Sequence, residues 1–129
     1  MKVESLNIMN ENRELWCARK HLYYVLVSCT EMIDYFDDFY NEWSEIERNT
    51  NKVIDCILKN EIDIAYESVK DLRRILMKLE LEMKDKILKN EGLKIDFRRL
   101  ISNLYHAEIH LSMSLENKKE NVFEGIEKI

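Results

Sequence analysis

The residues in this sequence best suited to chemistry are its three histidines, and His106-Ala107-Glu108-Ile109-His110 sets two of them four residues apart. On a helix that spacing puts both imidazoles on one side, the arrangement by which paired histidines present nitrogen to a divalent metal. A tight site needs a third or fourth ligand, and no neighbour in sequence supplies one. His21, or the acidic residues Asp34, Asp37 and Asp38, are the groups the fold could bring to it. The paired Glu-x-x-His pattern of di-iron bundles is missing. His106 and His110 are therefore expected to be two solvated surface histidines, with a metal-binding bundle on them as an alternative, and no cofactor is expected. Gly92 and Gly125 are the only glycines, which excludes a glycine-rich phosphate loop. Cys17, Cys29 and Cys56 form no CxxC pair and fit free thiols in a reducing compartment. Cys29 falls on an apolar face and is expected to be buried packing. No cysteine sits in the electropositive setting that activates a nucleophile.

Arg99, Ser102, His106 and His110 share one helical face opposite the apolar one. An arginine followed at short range by a histidine resembles the motif of the HEPN ribonuclease family, small all-α proteins that carry the pair near a dimer cleft. Six residues separate Arg99 from His106, and the resemblance covers this one motif rather than the chain. It implies an alternative function, a dimeric ribonuclease in which Arg99 stabilises phosphate charge and His106 assists proton transfer at a ribose hydroxyl. Apart from that resemblance, no catalytic residue is predicted. The net charge of −5 argues against direct nucleic-acid binding, although it leaves room for a local basic face.

The elements that must position these groups are helical. The chain has 129 residues, no proline, 46% apolar and 35% charged residues, enough apolar content to close one core without metal or disulfide support. The pattern predicts an all-α fold, a bundle of three or four long antiparallel amphipathic helices in one domain spanning 1–129, with 1–10 and 121–129 as the stretches that could fray. A first stripe runs Leu15, Arg19, Leu22, Leu26, Cys29, Ile33, Phe36, Tyr40, Trp43, lapses through Glu47 and Thr50, and resumes at Ile54 and Ile57. As one helix, residues 11–58 would span about 70 Å against about 45 Å for the next, 61–90. Either the first helix overhangs or it breaks within 37–51. The Asn/Thr chemistry of Arg48-Asn49-Thr50-Asn51 favours a break there over Asp37-Asp38. The second stripe is Ile62, Ala65, Val69, Leu72, Leu76, Leu79, Met83; the third is Phe97, Leu100, Leu104, Leu111, Leu115, widened by Ile101 and Ala107. Asn10 and Asn60 are read as N-caps and Gly92 as a left-handed helix stop. Ile57-Leu58-Lys59-Asn60-Glu61 recurs as Ile87-Leu88-Lys89-Asn90-Glu91, which marks two connections between antiparallel helices rather than a repeat array.

A second apolar band lies off these stripes: Trp16, Tyr23 and Val27, then Tyr66, Met77, Leu81 and Leu88, then Ile95, Ile109 and Met113. A helix at a monomer's surface usually shows one stripe, and a second one rich in aromatics and methionine suits contact with another chain. Trp16, Tyr23, Val27, Tyr66, Met77, Ile109 and Met113 are the predicted interface residues. The function predicted is protein–protein interaction: an adaptor, regulator, inhibitor or immunity-type partner, with a second copy of the chain among its candidate partners. From net charge alone, its acidic surface would suit a basic target. No signal-peptide h-region or membrane-length apolar run is present, so a cytoplasmic location away from membranes is expected.

Overall fold

The computed structural model describes the backbone of residues 2–35 and 39–127 and the side chains of residues 13–33 and 39–118. The described residues form five helices and no strand: α1 (Lys2–Tyr35), α2 (Tyr40–Leu58), α3 (Ile62–Glu82), α4 (Lys84–Lys89) and α5 (Glu91–Glu127). The four long helices form a ring in which α1 packs on α2 and α5, and α3 packs on the same two; α4 is a short link between α3 and α5. This is the all-α bundle that the hydrophobic period predicts.

Its core is the set of stripes turned inward. The α3 stripe, Ile62 to Met83, and Phe97, Leu100, Leu104, Ala107 and Leu111 of α5 are all buried. On α1 the buried line is Ala18, Leu22, Val25, Cys29 and Met32, while Leu15, Leu26 and Ile33 are only partly buried. The helix is thus rotated from the predicted stripe toward α5, because it must face two neighbours and small Ala18 permits close approach. Tyr40 is exposed rather than part of the stripe. Across the bundle, the fully buried Trp43 of α2 packs on Phe97 of α5, ring centres 5.3 Å apart and tilted by 56°.

The first segment breaks, but not at the favoured place. α1 ends at Tyr35 and α2 begins at Tyr40, with Phe39 in the left-handed region at φ 67°. Residues 48–51 are helical. The polar lapse there misleads because Thr50 is fully buried and its hydroxyl donates to the Ile46 carbonyl at 2.6 Å. A polar residue that back-bonds one turn earlier can lie in a core without breaking its helix. Phe36, Asp37 and Asp38 lie outside the described residues.

Four terminus assignments need correction, at Asn10, Gly92, residues 61–90 and Asn60. Asn10 lies inside α1, not at its start; an interior Asn costs a helix under about 0.7 kcal/mol relative to Ala. Gly92 is not a left-handed stop: no glycine has positive φ, and Gly92 lies in the first turn of α5. The stretch 61–90 is interrupted at Met83, which separates α3 from α4. At the other end, α5 continues through Gly125 to Glu127.

The echoed motifs do fall at two helix connections, yet their asparagines work differently. Asn60 does not cap α3; it closes α2. Its φ is 62°, its N–H donates to the Ile57 carbonyl (3.0 Å), and Glu61 N–H donates to the Cys56 carbonyl (2.8 Å). This is the paired bonding of a Schellman motif, with Asn where glycine is usual. Asn90 is extended, φ −139°, and its side-chain oxygen accepts from Leu93 N–H at 3.2 Å, which caps the start of α5. Asn90→Ala is expected to lower stability by about 1 kcal/mol through the lost cap. Asn60→Ala should cost a similar amount through left-handed strain, whereas Asn60→Gly should be tolerated or stabilising. Urea denaturation of the three variants checks this opposition.

Candidate functional site

α1 and α5 run antiparallel, and their seam gathers every histidine in the chain. The His21 ring stacks on His106 at 4.9 Å between centres and on His110 at 5.8 Å, the planes within 18° and 13° of parallel. The column is pinned by two reciprocal bonds. His21 Nδ1–H donates to Asn103 Oδ1 at 2.9 Å, and His110 Nδ1–H donates to the Glu14 carboxylate. Glu14 and His21 are seven residues apart on α1; Asn103 and His110 are seven apart on α5. A seven-residue step returns to nearly the same face of a helix, so antiparallel packing makes both cross-pairs at once. His106 is exposed, and His21, His110 and Glu14 are half-buried.

The column fits stacking better than metal binding. The Nδ1 atoms of His21 and His110 that are engaged in these bonds carry hydrogen, which leaves Nε2 as the only nitrogen in either ring that could offer a lone pair. An imidazole lone pair lies in the ring plane, and an ion must sit in the plane of each ring that binds it. Nearly parallel planes do not converge on one ion. Among the described residues no group of three or more His, Cys, Asp or Glu is arranged to hold a metal. His21 does reach His106 and His110, as the sequence allowed, but as a stacking partner. The side chains of Asp34, Asp37 and Asp38 lie outside the described residues.

The pair carried by the ribonuclease resemblance is more dispersed. Arg99 and Ser102 are exposed, and Arg99 lies two turns, about 10 Å along the axis, from His106. The His106 ring faces His21. Beside this seam, Arg73 of α3 pairs with Glu108 of α5 at 2.7 Å and holds its guanidinium over the Tyr105 ring at 5.6 Å.

The predicted interface residues separate into different surfaces. Trp16, Tyr23 and Val27 are 56%, 52% and 58% exposed and stand together on the outward face of α1. Tyr24 joins them, and Trp16, Tyr23 and Tyr24 line an open depression of about 490 Å³ with Arg19 and Lys20. The Lys20 ammonium lies 5.6 Å above the Trp16 ring. Met113 is exposed and Ile109 half-buried on α5. Met77 is exposed on α3, which stands diagonally across the ring from α1. Tyr66 is partly buried against the core with Lys70 4.6 Å above its ring, so it belongs to the bundle's flank. Tyr24, Glu14 and Asn103 were missed; the Tyr23-Tyr24 doublet and the matched seven-residue spacings were their signals.

Of the thiols, Cys29 is fully buried. Burial pushes it up to about 12, with the Glu47 carboxylate adding to the effect. Cys56 is also raised, by burial and then by the Glu61 carboxylate. Neither has the lowered value of an activated nucleophile. Comparison with family models, with curated proteins and with solved structures finds no match to this chain. No described helix is long and apolar enough to cross a membrane.

Two measurements check this geometry. Titration of zinc or nickel into the purified chain, followed by calorimetry, is expected to show no tight stoichiometric site. A saturable site lost in His110→Ala would refute the stacked arrangement. With Ellman's reagent at pH 8, the half-buried Cys17 and Cys56 should react in the native protein, and Cys29 only after denaturant is added; rapid reaction of all three would show that the core opens.

Proposed function

We infer that this chain works by binding another protein through the outward face of α1, as an adaptor, regulator, inhibitor or immunity-type partner. One observation carries the reading: Trp16, Tyr23, Tyr24 and Val27, four large apolar side chains, are each half or more exposed on a single helix. Single exposed apolar residues are ordinary, but a contiguous group of aromatics is where interface energy concentrates. Trp and Tyr offer large contact area with few rotatable bonds, so fixing them on binding costs little entropy. Lys20 over Trp16 keeps that ring ordered before any partner arrives.

The charge of this face refines what it suits. Although the chain carries −5 overall, the charged residues flanking the stripe among the described side chains are Arg13, Arg19 and Lys20, with Glu31 at the far end. A target chosen for basic character would meet like charge here, which costs both encounter rate and affinity. The face therefore suits a partner that offers apolar surface with a carboxylate placed to meet its basic end, as the Glu31 end of this same face does.

A photo-reactive amino acid at position 16, compared with one at position 77 on α3, tests the reading in cells that make the protein. Position 16 is expected to give a discrete protein adduct that disappears when Tyr23→Ala and Val27→Ala are added. Adducts from position 77 alone would move the interface away from α1 and sink the proposal.

A further inference from the structure

The layout of charge along α1 indicates which protein fits this face. Helical steps of about 100° place Trp16, Lys20, Tyr23 and Val27 within about 60° of one another, a continuous outward seam. Arg13 and Glu31 are both exposed, and the 18 residues between them make five full turns. They therefore lie on one line of the helix surface, one basic and one acidic, at opposite ends of the aromatic seam. Tyr24 stands on the same side of the seam as that line.

We propose that the partner is a second copy of this chain, docked so that the two α1 helices run antiparallel about a two-fold axis at the level of Leu22. This deepens the reading above and rests on it. In that register, positions adding to 44 face each other across the axis. Arg13 meets Glu31 of the second copy at both ends, and Lys20 meets Tyr24, a cation beside an aromatic face. Trp16 packs toward Val27 and Ser28 of the second copy. Positions on the same flank of a seam oppose each other in antiparallel helix pairs, which is what this pairing needs. A parallel two-fold pair would instead carry the Arg13–Glu31 line of the two copies to opposite flanks, and both Arg13–Glu31 contacts would be lost. The stretch from Arg13 to Glu31 is about 27 Å long, and a helix-on-helix contact of that length buries roughly 1,000 Å² over both copies. That is the low end of specific interfaces, so the dimer is a weak, micromolar one.

Sedimentation equilibrium of the purified full chain across the micromolar range tests this, with circular dichroism to show that each variant stays helical. The wild type should move between monomer and dimer. Arg13→Glu or Glu31→Arg alone should weaken the dimer roughly tenfold or more, because two symmetry-related pairs become like-charge contacts. The double variant should recover the wild-type constant, and Trp16→Ala should abolish the dimer over the same range. A chain that stays monomeric overturns the self-pairing. A dimer that survives Trp16→Ala, or a double variant no better than the singles, overturns the antiparallel α1 seam. The crosslink at position 16 separates this failure from that of the broader reading. An adduct of twice the chain mass belongs to self-pairing, one of another mass leaves α1 as the docking face for a different protein, and no adduct removes both.

Discussion

The antiparallel packing of α1 on α5 is the constraint from which the surface chemistry of this protein follows. Once Ala18, Leu22, Val25, Cys29 and Met32 are turned inward, the helix has no freedom left about its own axis. Glu14 and His21 then stand at the α5 seam, and Trp16, Tyr23 and Val27 are held outward. The histidine column and the aromatic face are two consequences of one rotation. Moving α1 by 60° about its axis would break both cross-pairs and bury part of the aromatic stripe.

The ring of four helices holds that rotation because no helix can bury its stripe alone. Each buried Leu, Ile or Phe is worth about 1.5–3 kcal/mol relative to exposure, and the stripes are buried only when all four helices are in place. Several polar groups are satisfied locally, whereas the buried Trp43 Nε1 and Ser114 Oγ have no hydrogen-bond partner among the described residues. Thr50 bonds back to Ile46, and the two connections satisfy helix-end groups with Asn60 and Asn90 rather than with glycine or proline. Lys118 Nζ donates to Asn60 Oδ1 at 2.9 Å, which ties the α2–α3 connection to α5. Phe39 takes a left-handed conformation with a bulky side chain, a strained choice that the packing around it must hold in place.

Much of the fold was legible in the sequence for a physical reason: long unbroken 3.6-residue periods in a chain with no proline leave helices as the only way to bury the apolar residues. The α3 stripe matches its reading residue for residue because α3 is flanked evenly by α2 and α5. The errors cluster where polarity and position part ways. A buried threonine looked like a break and an interior asparagine like a cap. A glycine in the first turn of α5 looked like a stop. In each case the residue type was read correctly and the partner that satisfies it was not visible. On the site, the exposure of Trp16, Tyr23 and Val27 was readable from helical angle alone. Tyr66 was not, because its burial depends on how closely the bundle's flank closes over it.

By itself, then, the sequence determined the class of secondary structure, the inward face of each helix to within about 60°, and the existence of a second apolar band on α1. Those properties depend on local periodicity, which acts within a helix. Tertiary structure alone decided that His21 joins His106 and His110, that the three rings stack in planes that do not converge on an ion, and that Met77 lies on a different surface from Trp16. Those facts depend on which helices are neighbours and at what register. That register is set by side-chain packing between residues more than 80 positions apart, Glu14 with His110 and His21 with Asn103, a separation that no local pattern encodes.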